Sequence, residues 1–420
     1  MTRDAEPFRV RNVVLGTALA LAARCDALHL NYDPPSPRSA AANMYISLSK
    51  PFEALKRAVR GRDRAHEKRR HEGGELDGVT DLAANNDTGN LWVIDSIFEG
   101  QNFFDDFDFF DYADPTNGLV DYVDRDTAFR EGLAYVTPNN KIVMKVDNTT
   151  VLQPGQYRKS VRIQSKKRYN GGLFIIDIER APHACGAWPA FWTVGPNWPH
   201  GGEIDIFEGV HESTKNQATF HTASGCRIEN PENFTGNLIA ADCSHDHGGM
   251  GCGLINDSVA SFGAPFNAVG GGVFATRWDS NGVYGWFFHR STIPRDITSN
   301  TPNPLNWGKP TVLLGKESCP PNKYFWDHVI VFDITLCGDL GGPTYADSGC
   351  PGTCADVILN PANFYNTSWS INHLYVFRNS KVLGSVPSSA RSNSLDMTSM
   401  PLLLWTMLFA CWFWRSLRTI

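Results

Sequence analysis

The sequence has no excess of basic residues: 38 Lys and Arg stand against 44 Asp and Glu in 420 residues, a formal charge of −6. A protein that coats nucleic acid needs a basic footprint, so that class is excluded. No apolar run reaches the ~20 residues that a spanning helix needs. No Cys-x-x-Cys occurs, no internal repeat is visible, and neither a long amphipathic helical pattern nor βαβ alternation is found. Repeat architectures and doubly wound parallel sheets are thereby set aside. Glycine (37) and proline (25) are plentiful but not periodic, which rules out collagen-like and low-complexity chains.

Ten Cys are present, and eight of them fall between Cys185 and Cys354. Cys350 and Cys354 have zinc-like spacing, but no second pair or His-x-x-x-His partner lies nearby. An even number within one stretch reads as disulfides of a secreted chain, with connectivity left open. Sequons at Asn86, Asn148, Asn233, Asn256 and Asn366 point the same way.

The ends differ from the middle. Val13–Ala23 is a short apolar run behind Arg3, Arg9 and Arg11, which fits a signal peptide over residues 1–27, although Asp4 and Glu6 are unusual there. Residues 28–85 are rich in Ser, Pro and Ala and then strongly charged. Lys56–Arg70 carries eight Lys/Arg against two acids, the composition of a solvated, disordered segment. A pro-segment cut at Lys56-Arg57 or Arg69-Arg70 is the sharper alternative. Within residues 379–420, Ser388-Ser389-Ala390, a polar spacer and the uncharged run Leu402–Trp414 follow the glycolipid-anchor pattern. Arg415 and Arg418 are atypical of such a tail, and a tail anchor or an erroneous gene end stays open. The expected location is secreted or cell-surface.

Length alone suggests two or three domains, but the pattern from about Leu91 to Arg378 reads as one large β domain, expected over residues 86–378. Lys141–Val146, Ser160–Ser165, Leu173–Ile178, Ala218–Thr222, Val283–His289, Val329–Thr335 and Ile371–Phe377 are short β-branched or aromatic runs between Gly, Pro and Asn. They predict an all-β sandwich of antiparallel sheets, of which a jelly roll is one form.

The chemistry concentrates in Gly201–Glu208, GGEIDIFE, with Glu203, Asp205 and Glu208 inside six residues. On a strand, Glu203 and Asp205 share one face and Ile204 and Ile206 the other. Glu208 then falls on the apolar face, where an unpaired carboxylate is very costly. A β-bulge near Ile206-Phe207 returns Glu208 to the face of the other two acids. Three like charges on one face raise at least one pKa, so that one carboxyl stays protonated beside a charged one. Glycoside hydrolysis needs that pair. A calcium loop is the rival, but its Asp/Asn-rich spacing is missing. Acids on a solvated strand face are the bland alternative, and the flanks argue against it.

Trp188, Phe191, Trp192 and Trp198 precede the acids. Exposed indoles stack on sugar faces, and buried ones fill cores. Trp198, in the turn-like Asn197–Pro199, is the first platform candidate and Trp188 the second, with Trp192 a further substrate-binding candidate. His221 in the following strand is a candidate for the cleft wall, or a satisfied structural histidine.

The segment EIDIFE resembles the bulged E-x-D-x-x-E signature of glycoside hydrolase family 16, and its surroundings resemble the fungal endo-1,3(4)-β-glucanase, laminarinase-type branch. NFFDDFDFF at 102–110, DPTNGLVDYV at 114–123, SVRIQSK at 160–166, TLCGD at 335–339 and GCPGTC at 349–354 carry the resemblance further, over roughly residues 90–378. It implies a concanavalin A-like jelly roll with a concave cleft and a retaining double displacement. By the same resemblance Glu203 is the nucleophile, Asp205 the assisting carboxylate and Glu208 the acid/base. It implies no required cofactor; some relatives carry a structural calcium ion, for which no ligand set is identified. Leu340 stands where relatives often have Trp. The expected activity is endo-hydrolysis of β-1,3- or mixed β-1,3/1,4-glucan by a monomer. Wall-remodelling transglycosylation and non-catalytic glucan binding are the alternatives.

Overall fold

The computed structural model describes residues 90–246 and 250–381. The signal peptide, the charged segment and the anchor pattern of the sequence reading lie outside them. By its internal contacts the chain separates into Met1–Asn85 and Asn86–Ile420, and the described residues belong to the second unit.

Among the described residues, eighteen strands form two eight-stranded sheets and one short pair. The first nine are β1 (Asn90–Glu99), β2 (Phe107–Phe109), β3 (Val120–Tyr122), β4 (Ala134–Val136), β5 (Ile142–Lys145), β6 (Arg158–Ser160), β7 (Arg162–Ser165), β8 (Gly172–Arg180) and β9 (Ala187–Val194). The rest are β10 (Glu203–Glu208), β11 (Gln217–His221), β12 (Asn237–Ala240), β13 (Cys252–Ile255), β14 (Gly272–Asp279), β15 (Gly282–His289), β16 (Val312–Gly315), β17 (Val329–Leu336) and β18 (Ser368–Lys381). One sheet runs β16-β15-β14-β8-β18-β5-β4, with β1 also on β18; the other runs β12-β13-β11-β10-β9-β17-β7-β2. Every pair within the two large sheets is antiparallel. This is the expected sandwich. Among the described residues no helix is long and apolar enough to cross a membrane.

Side-chain alternation sets the layers. In β17, Ile330, Phe332, Ile334 and Leu336 enter the core between the sheets, while Asp333 and Thr335 take the opposite face. In β9, Ala187 and Phe191 point inward and Trp188 and Trp192 outward. Phe207 of β10 packs on Phe262, Phe274 and Trp369 at 5.0–5.2 Å, locking the site strand to the core. β8 is apolar on both faces: Phe174, Ile176 and Ile178 join the main core, and Leu173 and Ile175 join a second cluster with Trp92, Ile297 and Trp307. That explains its near-continuous hydrophobic run.

The expected strand Ser160–Ser165 is a correction: the chain breaks at buried Val161, so that β6 pairs in parallel with β3 and only β7 joins the large sheet. The eight central Cys pair as Cys185–Cys350, Cys226–Cys319, Cys243–Cys252 and Cys337–Cys354. Cys185–Cys350 ties the segment after β17 to the residues just before β9, and Cys337–Cys354 closes that segment back on the end of β17. Of the sequons, Asn233 and Asn366 are exposed, but Asn256 is buried, and its side chain accepts from the Ser258 amide. The folded chain therefore does not offer Asn256 to solvent.

Candidate active site

The site begins at Gly201-Gly202. Gly202 has φ of +82°, and a Cβ there would lie 2.3 Å from the Tyr324 carbonyl, so only glycine fits. From this turn β10 enters the sheet with Glu203 opposite His221 on one side and Val194 on the other.

The ladder then slips. Asp205 pairs with Thr219 and Trp192, yet Glu208 pairs with Gln217 and Ala190. Three residues of β10 span two on each neighbour, the one-residue bulge that the position of Glu208 required. Asn216 satisfies the backbone groups that the bulge leaves over: its side chain accepts from the Glu208 amide at 3.0 Å and donates to the Ile206 carbonyl at 3.0 Å. Buried Asn216 is held in turn by the Ser261 hydroxyl on its own amide. A buried pair of unmet backbone groups costs several kcal/mol, about 1–3 each, so this one side chain holds the bulge in place.

As a result Glu203, Asp205 and Glu208 stand on the outer face of the sheet, flanked by Trp188 and Trp192 of β9, Asp333 and Thr335 of β17, and Thr219 and His221 of β11. Trp198 Nε1–H donates to Glu203 Oε2 at 2.5 Å. Trp188 Nε1–H donates to Glu208 Oε1 at 2.9 Å, and the Thr219 hydroxyl to Glu208 Oε2 at 3.1 Å. Trp192 Nε1–H donates to Asp333 Oδ2 at 3.0 Å. His221 Nε2 stands 3.9 Å from Glu203 Oε1 and 3.7 Å from Asp205 Oδ2. Trp198, 45% exposed, packs on His245 with ring centres 4.3 Å apart.

Burial is the main electrostatic fact. It pushes Glu203 up to about 8; the charge on Glu208 adds to the rise and the Trp198 N–H opposes it. Asp205 is pushed well above the usual carboxylate range by burial, then by the charges of Glu203, Glu208 and Asp333. Burial also raises Glu208, against the Trp188 and Thr219 donors. Asp333 is driven up to about 7 by burial, opposed first by the Arg162 guanidinium. His221 is lowered to about 4 by burial and by the neighbouring His245, so it is neutral at pH 7. These acids titrate as a group. With two donors, Glu208 holds a negative charge better than Glu203 does with one.

All seven expected site residues thus gather on one face. Trp188 and Trp192 do more than offer rings: each fixes a carboxylate. Sequence reasoning missed Asp333, Arg162, Asn216, Thr219 and His245. Asp333 had a signal, as the one acid in the apolar strand VIVFDIT. Arg162 lies over the rings of Phe110 (4.5 Å) and Trp192 (5.1 Å), with Asp114 at 3.9 Å, and supplies the positive charge near the acids. Its signal was an Arg at alternating position in SVRIQS. Among the described residues, the side-chain set close enough to share a cation is Glu203, Asp205 and His221. That set lies on the acids and contains a histidine, so it does not fit an all-oxygen calcium site apart from them.

A β sandwich with acids and indoles on an open sheet face has the layout of a carbohydrate-active enzyme. Residues 107–377 match the XgeA-like catalytic GH16 domain, and the chain belongs to glycoside hydrolase family 16. It is 43% identical over 287 residues to a protein named "Probable glycosidase" of Schizosaccharomyces pombe, covering 67% of this chain and 68% of that one. It is 40% identical over 313 residues to a "Probable endo-1,3(4)-beta-glucanase" of Aspergillus clavatus, covering 72% of this chain; the match spans about half of that relative, 48%. The fold is similar to the crystal structure of an elongating GH family 16 beta-1,3-glucosyltransferase, with 39% identity and a TM-score of 0.66, covering 68% of this chain and 100% of that one.

Proposed function

We propose that the chain cleaves β-1,3- or mixed β-1,3/1,4-glucan internally, with retention, through a covalent glycosyl-enzyme. The observation that carries this reading is the bulge in β10, which brings Glu208 to the face of Glu203 and Asp205. The name of the Aspergillus relative supports the substrate class.

In this mechanism Glu208 gives its proton to the glycosidic oxygen as Glu203 attacks the anomeric carbon. The C–O bond to the leaving sugar breaks and an ester to Glu203 forms. Water, losing its proton to Glu208, then attacks the same carbon and frees Glu203 as a carboxylate. Retention requires carboxyls about 5–5.5 Å apart. Asp205, kept protonated by its burial, gives a proton toward Glu203 and takes it back. The reactive form has Glu203 charged and Glu208 protonated. The Trp188 and Thr219 donors favour the reverse arrangement, so the pair shares one proton between two forms and only one of them reacts. Trp198, with its exposed ring next to Glu203, is the platform for a sugar at the cleavage point. The functional unit in this reading is residues 86–378, acting as a secreted or cell-surface monomer; the four disulfides support the secretory route.

The likeness to a glucosyltransferase favours a second reading, transfer of the same intermediate to a sugar hydroxyl. Incubation with laminarin and lichenan separates the two. Reducing ends that rise with time mean hydrolysis, and longer chains at constant reducing ends mean transfer. Glu203→Gln and Glu208→Gln each lose at least about a hundredfold in turnover, while glucan binding survives. Near-wild-type turnover in either refutes the assignment. With azide, Glu203→Ala gives the α-glycosyl azide, and a β-azide contradicts retention.

A further inference from the structure

The carboxylates and His221 have a property that sugar cleavage does not use. Asp205 is 4% exposed, and its Oδ2 is buried without a hydrogen-bond partner. Facing that oxygen, 3.7 Å away, is His221 Nε2, which also lies 3.9 Å from Glu203 Oε1. The other Glu203 oxygen is taken by Trp198, so Oε1 is the one left to bind. One ligand atom from each of the three residues lies within 4.8 Å of the other two.

We propose that Glu203, Asp205 and His221 form a binding site for a divalent transition metal of the zinc or copper class, and that the bound ion blocks the acids. A tetrahedral ion with bonds of about 2.0–2.1 Å holds its ligand atoms about 3.3 Å apart. The two measured separations from His221 Nε2 exceed that by a few tenths of an ångström, within the reach of side-chain adjustment. One imidazole nitrogen with two carboxylates suits zinc or copper; calcium and magnesium take six or more oxygens. Binding releases the protons on Glu203 and Asp205 to solvent, and the ion then offsets the charges that they leave. A fourth position stays open for water or for His245, whose ring centre lies 5.5 Å from that of His221. His221 Nδ1 has no hydrogen-bond partner to orient the ring. Such a partner is worth about 10–100-fold in metal affinity. The site is accordingly a reversible, inhibitory one.

Calorimetric titration of zinc chloride into the purified chain, in a non-chelating buffer, tests this. One zinc binds the wild-type protein, and Asp205→Asn and His221→Gln each weaken it about tenfold or more. Unchanged affinity in both variants, with folding verified by circular dichroism, overturns the proposal. If either variant fails to fold, cobalt(II) decides on the wild-type chain. Ligand-field bands of a four-coordinate site that zinc displaces support the proposal, and no such bands refute it. The readout is metal binding, so it stands apart from the glucanase reading. Where turnover is measured, zinc abolishes it and a chelator restores it.

Discussion

Thr219→Val tests how the proton is divided between the two glutamates. The Thr219 hydroxyl accepts from Gln217 Nε2 at 3.0 Å and donates to Glu208 Oε2 at 3.1 Å. Valine keeps the shape and removes the donor. A hydrogen bond to a charged group contributes about 1.5–3 kcal/mol. At this length the lower figure applies, and 1.36 kcal/mol corresponds to about one pKa unit. The sign is fixed: the donor stabilises only the ionised Glu208, so its loss makes Glu208 hold its proton to higher pH. Glu208 is the first of the pair to ionise, so it sets the acid limb of kcat/KM, and that limb moves up by about one pH unit. The alkaline limb, set by Glu203, which burial lifts to about 8, moves far less, and the rate between the limbs rises because more of the pair carries its proton on Glu208. Thr219→Ser keeps the hydroxyl and leaves the profile in place. Initial rates on a soluble β-1,3-glucan across the pH range supply the profile. An acid limb that stays put or moves down in folded Thr219→Val refutes Glu208 as the proton donor held by this bond.

Asp333→Asn raises the melting temperature at pH 8, with a gain that fades as pH falls toward 4. Asp333 is raised from 3.8 to about 7 in the folded state. Its favourable contribution is thus complete below the unfolded pKa and lost as pH rises through 7, an upper bound of about 4 kcal/mol. Thermal melts at several pH values check it, and a pH-independent difference contradicts it. Replacing Cys226 and Cys319 by Ser, a pair 93 residues apart, destabilises more than replacing Cys243 and Cys252, which are 9 apart. Chain entropy sets ceilings of about 4.7 and 2.6 kcal/mol, and denaturant unfolding that ranks them the other way sinks the loop-length argument.

The site was legible where side-chain parity decides the face. Glu203 and Asp205 share one parity, and the cost of burying Glu208 on the other demanded the bulge. Trp188 and Trp192 lie four residues apart in one strand, so they share a face, and Phe191 falls on the other. Parity alone was not enough for Asp333 and Arg162, because nothing local says that β17 and β7 lie on the same sheet as β10. Asn216 was illegible for a different reason. An asparagine before a strand has many uses, and only the slipped ladder reveals which carbonyl and amide need it. Disulfide pairing was equally closed: Cys226 joins Cys319 across 93 residues because the segments after β11 and after β16 meet in space. Asn256 shows that a sequon carries no information on burial.

The acids are held together against their own repulsion, and the fold supplies what opposes it. Asn216 fixes the bulge from one side, Phe207 anchors it to the core, and two disulfides tie the segment after β17 beside Trp188. None of these contacts removes the charge problem. Arg162 is near enough to Glu203 and Asp333 to lower both, yet both remain raised. The residue of repulsion is useful, because a glycosidase needs one carboxyl protonated near neutral pH. It is also costly, because every proton lost from the cluster as pH rises leaves a buried charge behind. Stability and reactivity therefore draw on the same protons: a substitution that quiets the cluster, such as Asp333→Asn, strengthens the fold in alkali and lowers the pKa of its neighbours. In the proposed mechanism one of these protons, that of Glu208, is the one that the glycosidic oxygen receives.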